Sequence, residues 1–352
     1  MSLHETKQHQ REEDMRNGLR TLAAIGTSLG LALGAGGAMA ADFELTYATP
    51  YSSTHPYAKA DQEWIDRIRE QTGGRVEITP YWGGSLITSR EGVDELAAGV
   101  ADLSNITPIY ARSGYEMVRN TPTFFYGYGD PEQTLDVYMD LWEQYPQFEA
   151  DMAGVHVLGF NVGTPMHLML REAPLDSLDD LQGLRIRSAV DYVGPLAAFG
   201  AEGVTMPMTE TYPALERGVV DGVIAPYEAL KSLSFAEVIK YYSELPHARG
   251  AYPSRAMNQA VWDSLPADIQ QVFEDNIRWL SEATLRYAIE AEEEGRAYGE
   301  EQGVAFNAVS DEVQAEYAAA FVDNAKKVAG DLDALGLPGT EVLAGVRAAH
   351  GD

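Results

Sequence analysis

The stretch from residue 43 to 106 constrains the fold most, because strand, helix and strand patterns alternate there with only short links. Residues 43–48 (FELTYA) alternate in the two-residue period of a half-buried strand and end at Thr49-Pro50. A helix is expected from about 55 to 71, with Trp64, Ile65 and Ile68 on one face and Gly73-Gly74 stopping it. Residues 75–80 (RVEITP) read as a second strand, 89–98 as a short helix and 101–106 as a third strand. This order predicts a mostly parallel sheet covered by helices, an α/β fold. Further strands are expected at 155–160, 184–188 and 219–224, with helices at 195–199 and 212–217. At 352 residues there is room for about two such domains.

The last third is helical. Ile269, Val272, Phe273, Ile277 and Leu280, spaced by three and four, predict one helix from 266 to about 301. A helix that long with one apolar stripe braces more than one domain. Residues 311–335 supply another amphipathic helix.

The first forty residues read as an export signal. Lys7, Arg11, Arg16 and Arg20 precede an uncharged stretch, 21–37, rich in Ala, Gly and Leu, and Ala38-Met39-Ala40 follows. Basic, apolar and small residues in this order predict a signal peptide cleaved after Ala40, with Met15 as an alternative start. The apolar stretch is shorter than the ~20 residues a membrane span needs. The expected product is a periplasmic protein that does not itself span the membrane.

Charge removes other classes. The chain carries 25 Lys+Arg against 54 Asp+Glu, a formal −29; the leader holds four of each, so export leaves the charge unchanged. Such a surface repels nucleic acid and acidic membranes. Scarce Lys beside abundant Asp and Glu suits a protein facing high salt, so a halophilic source is expected. With no cysteine, thiolate chemistry and every Cys-containing metal site are excluded. The histidines show no i,i+4 pair and no HExxH, and no phosphate-binding glycine motif is present, so neither metal nor cofactor is expected. No catalytic constellation rises above chance.

Aromatic residues gather beside predicted strand ends, among them Tyr51 and Trp82. Ligands of open α/β sheets bind at the carboxyl ends of strands, where aromatics can wall a pocket and face cations.

One ordered set of segments is more specific. LQGLRIR (181–187), TMPMTETYPAL (205–215) and RGVVDG (217–222) resemble, in that order, the DctP-type periplasmic solute-binding proteins of TRAP transporters. TGGRVEITPYWGGSL (72–86), PTFF (122–125) and MNQAVWDSLP (257–266) extend the likeness over roughly 43–300. The resemblance implies a two-lobed, type II-like binding protein with a long lobe-spanning helix, closing on a solute for delivery to TRAP membrane permease subunits. Lobe one would take 41–163 plus 251–288, and lobe two 164–250 plus 289–352. In the family an arginine of the "GLKIR" strand holds the ligand carboxylate, and the matching residue is Arg187. Arg185, two residues earlier, points the same way on a strand. Around Arg187 the resemblance gathers Tyr51, Trp82, Thr107, Phe125, His167, Met208, Ala225, Tyr227 and Glu228 as ligand-binding candidates.

Departures matter as much. Ala225 stands where the family places a carboxylate-touching Asn; Met166, beside His167, stands where some members carry a second arginine; Met208 replaces an aromatic. A double clamp for a sugar acid is therefore not expected. The expected solute is a small monocarboxylate or zwitterion held by Arg187. The alternatives are a small amine or amino-alcohol such as ethanolamine, set against Glu228 and tyrosine faces, or an ABC-type binding protein.

Overall fold

The computed structural model describes residues 41–351. The leader, its cleavage point and the Met15 start lie outside the described residues.

Among the described residues, eleven strands form two sheets. The first, ordered β2-β1-β3-β10-β4, holds β1 (Phe43–Ala48), β2 (Val76–Tyr81), β3 (Leu103–Asn105), β4 (Val155–Asn161) and β10 (Tyr252–Asn258). The second, ordered β11-β9-β5-β8-β6-β7, holds β5 (Met166–Leu170), β6 (Arg185–Ser188), β7 (Glu202–Thr205), β8 (Gly222–Ala225), β9 (Tyr241–His247) and β11 (Ala305–Ala308).

The opening segment folds as its pattern dictates. β1 runs parallel to β2, Phe43 opposite Val76, and parallel to β3, Tyr47 opposite Leu103. Between β1 and β2, α1 (Pro56–Gln71) buries Trp64, Ile65 and Ile68 on its inward stripe. His55 caps it, the ring nitrogen accepting from the Tyr57 amide, and Pro56 occupies the first turn, where no amide donor is missed.

The sheets are mixed rather than mostly parallel. The chain passes from β4 to β5 and returns from β9 to β10, each time by a link of four residues. The strands at these passages enter against their neighbours: β10 is antiparallel to β3 and β4, and β5 to β8 and β9.

The predicted long helix divides into α2 (Ala267–Asp275) and α3 (Ile277–Glu301). Asn276 breaks it by bonding sideways: its Nδ2 donates to the Val272 carbonyl at 2.7 Å and to Gln71 Oε1 at 2.6 Å, and its Oδ1 accepts from Arg67 Nε at 2.5 Å. Such side-chain bonds compete with the helical backbone. The 25 residues of α3 span about 38 Å. Its Ser281 hydroxyl accepts from the Phe160 amide of the first sheet at 2.9 Å. Further on, Gly295 lies against the Tyr227 carbonyl beyond β8, where any Cβ would collide.

The chain ends in α4 (Asp311–Ala334) and α5 (Gly339–His350). Tyr317 and Phe321 of α4 join the second sheet's core, whereas Ala325, Ala329 and Leu332 join a first-lobe core with Phe124, Phe125 and Tyr138. α5 packs wholly on that first-lobe core through Val342 and Val346, and the Val346 carbonyl accepts from the Tyr128 hydroxyl at 2.6 Å. The apolar faces of these helices thus meet the cores of both sheets. No helix of the described residues is long and apolar enough to cross a membrane.

Candidate functional site

Two arginines two residues apart on β6 meet different fates. Arg185, half exposed, binds Asp221 with two parallel contacts, Nη2 to Oδ1 at 2.8 Å and Nε to Oδ2 at 3.0 Å. Arg187 is 0% exposed. Its Nε and Nη2 donate to the Met206 carbonyl at 2.9 and 2.7 Å, and Nη2 also donates to the Tyr110 hydroxyl at 2.7 Å. Tyr110 follows β3 of the first sheet, so this bond joins the two halves. Thr107 fixes the turn that carries it, donating to the Ser89 carbonyl at 2.6 Å. Among the described residues Arg187 has no carboxylate partner, an expensive state for a buried cation.

A second guanidinium lies nearby, and sequence reasoning missed it. Arg249 stands on the link between β9 and β10, half-buried, donating to the Tyr57 hydroxyl at 3.0 Å and the Tyr252 hydroxyl at 3.2 Å. Tyr57 is 3% and Tyr252 2% exposed. Arg249 and Arg187 both act electrostatically on the buried Asp191. Arg249 also acts on Tyr51 and Tyr110, so a phenolic cluster surrounds the two cations. The available signal was a basic residue beside Gly250 in a chain poor in bases.

Buried carboxyls lie within the electrostatic reach of Arg249. Glu228, just past β8, is 5% exposed and hydrogen-bonded to the Ser232 hydroxyl. Burial pushes it up to about 7, and Asp191 up to about 6. Glu292 of α3 accepts from Thr164 Oγ1 at 2.7 Å and from the Tyr227 amide at 3.1 Å, stitching helix, first passage and second lobe together. Its carboxyl too is raised by burial.

The remaining candidates divide. Tyr51 is buried 4.2 Å from the His55 ring and 5.3 Å from Tyr57. With Ser52, His55, Thr209, Tyr212 and Ser232 it lines a cavity of about 360 Å³. Burial, then the charges of Arg255 and Arg249, lowers His55 to about 3. His167 and Tyr227 belong to a second aromatic group: Tyr227 stacks on Tyr242 at 4.3 Å, and His167 lies 5.0 Å from Tyr227. Burial lowers His167 to about 4, and its Nδ1 has no partner among the described residues. Tyr227 also donates to Glu244 at 2.7 Å. Ala225 ends β8 with its carbonyl 3.5 Å from the Tyr242 hydroxyl, and Met208 packs half-buried on the same core. Two candidates pack elsewhere. Phe125 is fully buried between Tyr128 and Tyr138 in the first-lobe core, and Trp82 lies against Tyr47, 6.3 Å between rings. Each of these two rings has aromatic neighbours within its own lobe. No cluster of three or more potential metal ligands occurs among the described residues.

Two mixed sheets bridged by a long helix, with cations buried between them, define the class of two-lobed solute-binding proteins. Residues 47–331 match the DctP family, described as bacterial extracellular solute-binding protein, family 7, and the chain belongs to it. Members of this family are solute-binding components of TRAP transport and not enzymes. A C4-dicarboxylate-binding periplasmic protein DctP of Rhodobacter capsulatus is 26% identical over 257 residues, covering 71% of this chain and 76% of that protein. A solute-binding protein of Verminephrobacter eiseniae is 28% identical over 218 residues, 60% of this chain and 63% of its own; for another, of Chromohalobacter salexigens, the covered share is 58%. The chain thus spans about three-fifths of these two relatives. A TRAP periplasmic solute-binding protein of Desulfovibrio salexigens superposes with a TM-score of 0.71 at 26% identity, covering 88% of this chain and 96% of that one. One from Rhodoferax ferrireducens, in complex with copurified benzoate, gives 0.77 at 21% identity, covering 87% and 97%.

Proposed function

We propose that this protein captures a small carboxylate between its lobes in the periplasm, with Arg187 as the carboxylate anchor, and delivers it to a TRAP membrane permease. One observation carries this reading: the Arg187 guanidinium is wholly buried at the junction of the halves and bonded only to carbonyls and one phenol. A bidentate carboxylate is the group that best neutralises such a cation. The Tyr110 hydroxyl stands where a solute oxygen would be received. The lobes are taken as 41–163 with 251–288 and 164–250 with the following chain, except that α5 goes with the first, because its apolar face is buried there. Export by the leader, cleaved after Ala40, is part of the same proposal. The relative from Rhodobacter capsulatus, described as C4-dicarboxylate-binding, agrees with an acid as the solute class.

An amine solute suits the cleft less well. Glu228, its natural partner, is pushed up to about 7 by burial, so its charged form is disfavoured there. Thermal-shift screening of small acids and amines tests the proposal. A ligand at 100 times its dissociation constant adds ~2.7 kcal/mol to stability. Acids should raise the melting temperature and amines should not; the reverse pattern overturns the reading.

A further inference from the structure

Arg249 is not explained by the family motif that selects Arg187. It lies on the passage from β9 to β10, and its guanidinium rests on Gly163 of the passage from β4 to β5, where a Cβ would strike it. The two four-residue links between the sheets therefore meet at this side chain. Two of its five N–H groups are used, by the hydroxyls of Tyr57 and Tyr252. The buried acids within its electrostatic reach are engaged elsewhere: Glu228 with Ser232, Glu292 with Thr164 and two backbone amides. Asp191 lies beyond ion-pair distance, under the influence of both Arg249 and Arg187. The cation thus keeps unused donors beside the phenols of Tyr57 and Tyr252.

We infer that Arg249 is a second acceptor-reading residue of the cleft, binding an oxygen of the solute other than the carboxylate held by Arg187. The solute class is then an acid bearing a second anionic or carbonyl oxygen. The inference rests on the carboxylate reading above, and its test separates the two.

The probes are two pairs of acids differing by one acceptor: propionate and pyruvate, butyrate and succinate. Affinities are measured by calorimetry on the wild type, Arg249→Gln, Arg249→Lys and Gly163→Ala. The wild type should prefer the two-acceptor member of at least one pair by tenfold or more. Arg249→Gln should bring that ratio near one while binding through Arg187 persists; Gly163→Ala, which displaces the guanidinium but keeps the charge, should lower it too. Arg249→Lys keeps the charge without the planar fork and should lower the ratio in part, and it serves if the glutamine variant does not fold. A purely structural Arg249 would change the melting temperature and leave the ratio intact. No preference in the wild type, or an unchanged ratio in the variants, overturns the inference alone. Failure of every acid to bind overturns the carboxylate reading and this inference with it.

Discussion

Arg255 and Arg187 are equally hidden, 1% and 0% exposed, yet they are opposite cases. Arg255 faces Asp61, with Nε and Nη2 at 2.8 and 2.7 Å from the same carboxylate oxygen, inside the first lobe. Among the described residues Arg187 has no acid within ion-pair distance, and it sits where the lobes meet. Burial alone does not distinguish a structural charge from a receptive one; the missing partner does.

Removing a partner from the completed pair should have the largest effect. Asp61→Ala leaves Arg255 buried and uncompensated, a loss of ~3–5 kcal/mol. Its melting temperature should fall by roughly 10 °C. The mirror change at the open site should behave oppositely. Arg187→Gln relieves a desolvated charge, so the solute-free protein should melt no lower than wild type while acid binding weakens by about a hundredfold or more, the scale of ~2–5 kcal/mol for buried interfacial pairs. A melt that drops as far as that of Asp61→Ala would erase the contrast.

Glu228 sharpens it on the acid side. Its carboxyl is raised from an ordinary 4.5 to about 7, so the folded state holds the proton more tightly than the unfolded chain. The stability this confers is complete below the unfolded value and is lost as pH rises through about 7. The loss is on the order of 3 kcal/mol. Glu228→Gln, which cannot ionise, should flatten the melting curve between pH 5 and 8; an equally steep curve in the variant would remove Glu228 as the cause. The smallest effect concerns the surface. A formal −29 should make the melting temperature rise by roughly a few degrees in molar salt as self-repulsion is screened, and indifference to salt would refute the halophilic expectation.

Much of the fold was legible where one face is buried and the other wet. β1, α1 and β2 follow their periodicities to within a residue or two. β10 gave no such signal because all seven of its residues are buried, which abolishes alternation, and it contains Pro253 and Arg255. β7 and β11 are edge strands with no fully buried residue, so no buried face alternates in either. The break at Asn276 was hidden because the apolar spacing continues through it; only side-chain bonds to Arg67 and Gln71, some two hundred positions away, create it. The site divides likewise. Arg187 was readable because a strand motif carries it, whereas Arg249 depends on Tyr57, Tyr252 and Gly163, which only the two passages bring together.

Calorimetric titration of small carboxylates into wild type and Arg187→Gln tests the guanidinium's role most directly. Saturable binding to the wild type, lost or weakened a hundredfold in a variant that melts no lower, is the predicted result. Equal affinity in both proteins would contradict it.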